Sequence, residues 1–293
     1  MDAILDVMTH ILRLTAFTTD PRGGNPAGVV LDSNGLDEAR MQHIAAQVGY
    51  SETAFVTDDE TDPRHFRLRF FSPLAEVDFC GHATIATAVA IAERDGAGPL
   101  TFGTPVGQIE VETTRTERGF AAALRSVPTH SHPAEPGDVT AALKALGWPA
   151  EDLEPQLPPH VSFAGNEHLV LAVRSRQRLA ELDYDFEALK ALMSDRGWTT
   201  LQLFWRQDQT TIHSRNPFPV GGVVEDPATG AAAAALGGYL RIGGHIPART
   251  QIRIVQGEDM GRRSELLISV SPEDPRVTVS GEAVHIAPCR ALC

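Results

Sequence analysis

Apolar and polar residues alternate with a period of two in the short segments of this chain and with a period near 3.6 in the longer ones. Over Ile11–Phe17, Leu12, Leu14 and Ala16 stand against Arg13 and Thr15, which predicts a strand. Residues 21–26 (Pro-Arg-Gly-Gly-Asn-Pro) are turn chemistry, and Ala27–Leu31 returns as a second strand. Leu36, Met41, Ile44, Ala45 and Val48 share a face of a helix predicted over Leu36–Val48, with Gly49 as its stop. Further strands are predicted at Ser51–Val56, Phe66–Phe71, Gln108–Thr113, Phe120–Leu124 and Leu201–Trp205, with a hairpin over Val161–Val173 turning at Gly165-Asn166. Val139–Leu146 and Asp185–Arg196 read as helices. Two strands, Glu265–Ser271 and Arg276–Ala287, joined by Pro272-Glu273-Asp274-Pro275, close the chain.

Two runs depart from both periods. Ala83–Ala92 and Ala231–Leu240 are nearly free of polar groups, and a helix that is apolar all round is a buried one. Each follows the same grammar: Phe71-Ser72-Pro73 leads to Asp78–Ala83, and Asn216-Pro217-Phe218 leads to Glu225–Ala231. The recurrence predicts two pseudo-equivalent halves, the first with strands wrapped around one central helix. Ser126–Pro136, with three prolines and two histidines, reads as the linker. The expected domains are therefore 1–126 and 127–293, with the final strand a candidate to return to the first.

Composition narrows the class. The 293 residues are 42% hydrophobic and 22% charged, the balance of a soluble globular protein. A net charge of −13 argues against nucleic-acid and anionic-membrane partners. No apolar run approaches the roughly 20 residues of a membrane span. Met1–His10 lacks the basic region and apolar core of a secretory leader, so a cytoplasmic location is expected. The three cysteines, Cys80, Cys289 and Cys293, make no disulfide framework. His285, Cys289 and Cys293 lack the fourth ligand of a structural zinc, and no metal is expected. Neither Gly-x-x-x-x-Gly-Lys nor Gly-x-Gly-x-x-Gly follows a predicted strand, so no nucleotide cofactor is expected.

The candidate chemistry gathers at the starts of the two apolar helices and at one acid. In a strand, Glu52 shares a face with Ala54 and Val56, where burial raises a carboxyl pKa toward the range of proton transfer. The competing reading pairs Glu52 with solvent or an arginine such as Arg69. Gly81-His82 opens a buried helix whose N–H groups and partial positive charge suit a carboxylate; His82 is then an acid, a base or merely a cap. Cys80, beside that helix start, is either an activated thiol or a small hydrophobe. Asp226-Pro227-Ala228-Thr229-Gly230 is a second helix start or a plain N-cap. Residues 225–235 contain no cysteine, which leaves no second thiol there for a two-thiol racemase.

In order along the chain, Gly24-Asn25-Pro26-Ala27-Gly28-Val29-Val30, Ser51-Glu52-Thr53-Ala54-Phe55-Val56, Arg69-Phe70-Phe71-Ser72-Pro73, Cys80-Gly81-His82-Ala83-Thr84 and Val224-Glu225-Asp226-Pro227-Ala228-Thr229-Gly230 resemble the phenazine-biosynthesis (PhzF-like) isomerases, relatives of diaminopimelate epimerase. A weaker match runs from Gln256-Gly257-Glu258 through Gly261-Arg262. The resemblance implies an α+β fold of two pseudo-symmetric domains, each a curved, mainly antiparallel, barrel-like sheet around a central helix. It also implies an active site in the cleft between domains, a homodimer, and proton transfer without a cofactor on a small carboxylate-bearing substrate.

By the same resemblance, Glu52 moves the proton, His82 and Asp226 assist, and Asn25, Cys80, Gly81, Ala83, Thr229, Gly230 and Ala231 contact substrate. Ala231 stands where the family often carries Ser or Asn, one substrate hydrogen bond fewer. The alternatives are a single-thiol racemase, epimerase or dehydratase working through Cys80, and a metabolite-binding protein without turnover.

Overall fold

The computed structural model describes residues 9–58 and 62–287; Cys289, Cys293 and most of the N-terminal extension lie outside that range. The described residues form two compact units. The first takes in the chain up to Pro21, Pro26–Ala122 and the residues from Glu282; the second takes in Arg22–Asn25 and Ala123–Gly281.

In the first unit, strands Leu12–Ala16, Asn25–Val30, Glu52–Asp58, His65–Phe71, Gly98–Thr104, Gly107–Arg115 and Phe120–Arg125, with the end of Asp274–His285, close into an eight-stranded barrel. Helix Gly81–Asp95 runs inside it, and every residue from His82 to Ala92 is buried. Alanine, threonine and β-branched residues fill this helix because all its faces meet strand side chains. Helix Glu38–Val48 lies outside. Asp37 caps it by accepting from the Arg40 N–H at 2.8 Å, and Gly49 ends it in the left-handed region at φ 72°. Its Met41, Ile44, Ala45 and Val48 pack with Val30, Phe55 and Phe71. The strand Glu52–Asp58 is thus covered on both faces: Phe55 meets the outer helix, while Glu52, Ala54 and Val56 turn toward the inner one.

The second unit repeats the order. Strands Glu167–Ala172 and Trp198–Arg206 are parallel, as are Asn25–Val30 and Glu52–Asp58 in the first. Outer helices join each pair, here Arg176–Ala180 and Phe186–Arg196. An antiparallel strand follows, Thr211–Phe218 or His65–Phe71, and then a short return, Val223–Asp226 or Glu76–Val77. The inner helix comes next, Gly230–Ile242 or Gly81–Asp95, and then a parallel strand, Thr250–Gln256 or Gly98–Thr104. Phe204 meets Tyr239 of the inner helix, whereas Leu169, Leu171, Leu201 and Leu203 pack outward with Leu143, Leu146, Leu189 and Met193 of helices Pro136–Leu146 and Phe186–Arg196. The fold is α+β, with a curved, mainly antiparallel sheet around each inner helix.

Several sequence expectations change. Ser126–Pro136 is not a linker: His130–Pro133 pairs antiparallel with His160–Phe163, and the Ser126 and Thr129 N–H groups donate to Val277 and Pro275 carbonyls. Pro128 and Pro136 fall outside the strand, and Pro133 is its last residue, opposite His160. Strands Gly98–Thr104 and Thr250–Gln256 add to the elements predicted, and Pro275 lies inside the last strand rather than in a turn. The hairpin at Gly165-Asn166 is present, with Phe163 opposite Glu167. No helix of the described residues is long and apolar enough to cross a membrane.

Candidate functional site

Glu52 is the first residue of its strand, so its inward-facing side chain lies beside the first turn of the inner helix rather than along its middle. The backbone of Cys80 is extended (φ −142°, ψ 113°), and its carbonyl accepts from both the Thr84 N–H at 3.0 Å and Thr84 Oγ1 at 2.7 Å. With its backbone so held, Cys80 makes no side-chain cap to its own helix. Its Sγ instead donates to Glu52 Oε2 at 3.4 Å and lies 3.3 Å from His82 Nδ1. His82 Nε2 is 3.3 Å from the same Glu52 oxygen and 3.4 Å from Ser51 Oγ. The His82 side chain is 8% exposed and that of Glu52 19%. Three of the expected site residues therefore form one cluster in which a single carboxylate oxygen meets a thiol and an imidazole. Such a group can accept a proton, hold it on either partner and return it.

Arg69, the rival partner for Glu52, is engaged elsewhere. Its guanidinium donates to both Glu76 oxygens at 2.6 Å and to Glu38 at 3.0 Å. The hydrogen bond from Arg69 outweighs burial and holds the Glu76 carboxyl below the usual carboxylate range. The apolar environment expected around Glu52 is also only half present. Ala54 and Val56 share its face, but its immediate contacts are polar.

In the second unit the expected residues form another cluster. Asn25 Nδ2 donates to Asp226 Oδ1 at 2.8 Å and to the Ala228 carbonyl at 3.1 Å. Thr229 Oγ1 donates to Asp226 Oδ2 at 2.5 Å. Thr229 occupies the N-cap position of helix Gly230–Ile242 and, like Cys80, makes no side-chain cap. Gln256 completes the group: its Nε2 donates to the Asp226 carbonyl at 2.8 Å and to Thr229 Oγ1 at 3.2 Å, and its Oε1 accepts from the Thr229 N–H at 3.3 Å. Gln256 was absent from the expected site residues, and the weak match around Gln256-Gly257-Glu258 is the signal that points to it. Arg262 supports Asn25 by donating to the Gly24 carbonyl at 3.0 Å and the Gly23 carbonyl at 2.9 Å. Behind the Asp226 loop, Arg215 and Glu225 form a buried ion pair at 2.6 Å.

The two inner-helix starts differ in chemistry. Val77 pairs with Phe70 and Asp226 pairs with Asn216, each four residues before its helix begins. In that register Cys80 corresponds to Thr229 and His82 to Ala231. Ala27 pairs with Glu52 where His168 pairs with Thr200, so Glu52 corresponds to Thr200. At the positions matching Cys80, His82 and Glu52 the second unit has Thr229, Ala231 and Thr200, so Ala231 leaves its helix start with a methyl. Gly81, Ala83, Gly230 and Ala231 all sit in the first turn of an inner helix.

The family model described as phenazine biosynthesis-like protein matches residues 14–288. A protein named isomerase YddE from Escherichia coli O157:H7 is 32% identical over 285 residues, covering 94% of this chain and 95% of its own. Trans-2,3-dihydro-3-hydroxyanthranilate isomerase of Pseudomonas aeruginosa is 30% identical over 291 residues, 97% of this chain and 99% of its own. The crystal structure of the Bacillus anthracis phenazine biosynthesis protein of the PhzF family superposes with a TM-score of 0.84 at 26% identity, covering 94% of this chain and 96% of that one. Coverage of nearly the whole chain by sequence and by fold excludes a shared fragment. The chain belongs to the phenazine biosynthesis-like protein family and is an enzyme of its isomerase type.

Proposed function

We propose that this protein moves a proton on a small carboxylate-bearing metabolite, without a cofactor, using Glu52 as general acid and base. The observation that carries this reading is the meeting of Glu52 Oε2 and His82 Nε2 at 3.3 Å beside the start of a buried helix. Removing a proton from carbon next to a carboxylate builds negative charge on that carboxylate. First-turn N–H groups, which have no acceptor within their own helix, stabilise such charge without reorganising. Glu52 then returns the proton to a different carbon on the same face, which is isomerisation. His82 holds Glu52 Oε2 in place. A part for Asp226, and substrate contacts from Asn25, Thr229, Gly230 and Ala231, are proposed on the family resemblance.

The substrate named for the Pseudomonas aeruginosa relative is the natural probe, although Ala231 offers no side-chain hydrogen bond to it. In deuterated water, wild type should place solvent deuterium in trans-2,3-dihydro-3-hydroxyanthranilate, and Glu52→Gln should abolish it. Full incorporation by that variant would sink the assignment. The position of Cys80 Sγ, 3.4 Å from Glu52, supports a second reading, a single-thiol racemase. Exchange into L-proline that survives Glu52→Gln and vanishes in Cys80→Ala would establish it. Exchange into neither probe would favour a metabolite-binding role. We further propose a cytoplasmic homodimer, for which light scattering should give twice the chain mass.

A further inference from the structure

We propose that the second unit binds ordered water inside its sheet, at a site lined by Gln202, Ser214 and Asn216. All three residues are buried, none more than 3% exposed. Gln202 Oε1 and Nε2, Ser214 Oγ and Asn216 Oδ1 have no hydrogen-bond partner among the described residues. Buried polar atoms are costly when unpaired, and ordered water satisfies those that protein groups do not.

The sheet brings the four atoms together. Strands Trp198–Arg206 and Thr211–Phe218 are antiparallel, with Leu203 opposite Arg215 and Phe204 opposite Ser214. The same register sets Gln202 opposite Asn216. Leu201 and Leu203 pack outward, so Gln202 and Phe204 turn to the inner helix, and Ser214 and Asn216 turn with them. On one face, opposite residues have Cβ atoms about 5 Å apart and diagonal ones about 7–8 Å, within the span of a bridging water. Counting back from Tyr239, which meets Phe204, the helical period brings Ala235 and Ala232 to the same face. Their methyl groups leave room that a longer side chain would fill.

The lining chooses the ligand. Two amide oxygens, an amide nitrogen and a hydroxyl call for a molecule that both donates and accepts. Arg215, between Ser214 and Asn216, points away to Glu225 and the Ala180 carbonyl, so its charge is spent elsewhere. A small neutral molecule with two to four polar partners is water.

The fold itself does not require these polar groups. Thr200 corresponds to Glu52 and Asn216 to Phe70, so Gln202 corresponds to Ala54 and Ser214 to Leu68. Ala54, Leu68 and Phe70 are buried and apolar. The position of the polar set gives the water a role. Asn216 stands opposite Asp226, and Ser214 beside Gln256, whose amide holds Thr229. Asn216 Nδ2 donates to Thr200 Oγ1 at 3.0 Å, and Thr200 Oγ1 lies 2.9 Å from His168 Nδ1. Bound water thus extends a buried polar row across the strands on which the Asp226 group rests. None of this depends on the role proposed for Glu52.

The test is a crystal structure of the full chain at a resolution that shows ordered solvent. Solvent density within hydrogen-bond distance of at least two of Gln202, Ser214 and Asn216 is expected. Density on fewer, or a Gln202 amide bonded directly to Asn216 or Ser214 with no solvent between, would overturn the proposal. Magnetic relaxation dispersion of the solvent counts long-lived internal waters in solution. Gln202→Leu, which puts apolar atoms into the site, should lower the wild-type count by at least one, and an unchanged count would overturn the proposal. If that variant does not fold, Gln202→Met, closer to glutamine in shape, gives the same reading. Neither measurement needs substrate.

Discussion

His168 is fully buried, with Nδ1 2.9 Å from Thr200 Oγ1 and Nε2 without a partner. Burial pushes its pKa down from 6.5 to about 4, against a smaller upward pull from Thr200. The unfolded chain therefore takes up a proton near pH 6.5 that the folded one refuses until about pH 4. The stability this neutral ring permits is present above pH 6.5 and is lost as pH falls toward 4, about 3 kcal/mol across the window. Urea denaturation at pH 7 and pH 4.5 should show that loss in wild type and a smaller one in His168→Leu; equal losses would refute it. Site residues differ in how far the sequence discloses them. Glu52 is legible because an acid sharing a strand face with Ala54 and Val56 is anomalous. Its contact with His82 depends on a strand end meeting a helix start about 30 positions later, which no local pattern encodes. Gln256 is hidden for the same reason, since an amide closing a strand becomes meaningful only once Asp226 and Thr229 are beside it.

Elements with their own punctuation are the most legible. Helices Glu38–Val48 and Phe186–Arg196 begin after Asp37 and Asp185, which cap them, and end at Gly49 and Gly197. The central helices announce themselves by their lack of polar residues. Gly98–Thr104 is harder to read because Gly98, Pro99 and Gly103 are turn formers locally, and its strand character comes from pairing with His65–Arg67 and Gly107–Thr113. His130–Pro133 is proline-flanked and is made a strand only by its distant partner. One prediction belongs to this scale. Gly257 has φ 72°, and a Cβ there would stand 2.5 Å from the Arg262 carbonyl oxygen and 2.8 Å from that of Pro227. Gly257→Ala should cost at least about 1–3 kcal/mol in backbone strain alone and loosen the loop that carries Asp226. An unchanged denaturation midpoint would show that the loop relaxes freely.

The molecule uses one element order twice and places the Glu52, Cys80 and His82 cluster in one copy. Its charge of −13 favours solubility without adding to either site. Both inner helices start without a side-chain cap, because Cys80 turns to Glu52 and His82 while Thr229 turns to Asp226. A capping side chain is typically worth about 1 kcal/mol, so each helix forgoes stability that a different residue would supply. Serine is among the best N-caps, and Cys80→Ser should raise the melting temperature by about 1–3 °C even as it removes the thiol; a lower melting temperature would show that the thiol contacts outweigh the missing cap. Each central helix is thus held below its own stability optimum at its first turn. Selection for thermal robustness alone would erode that turn first.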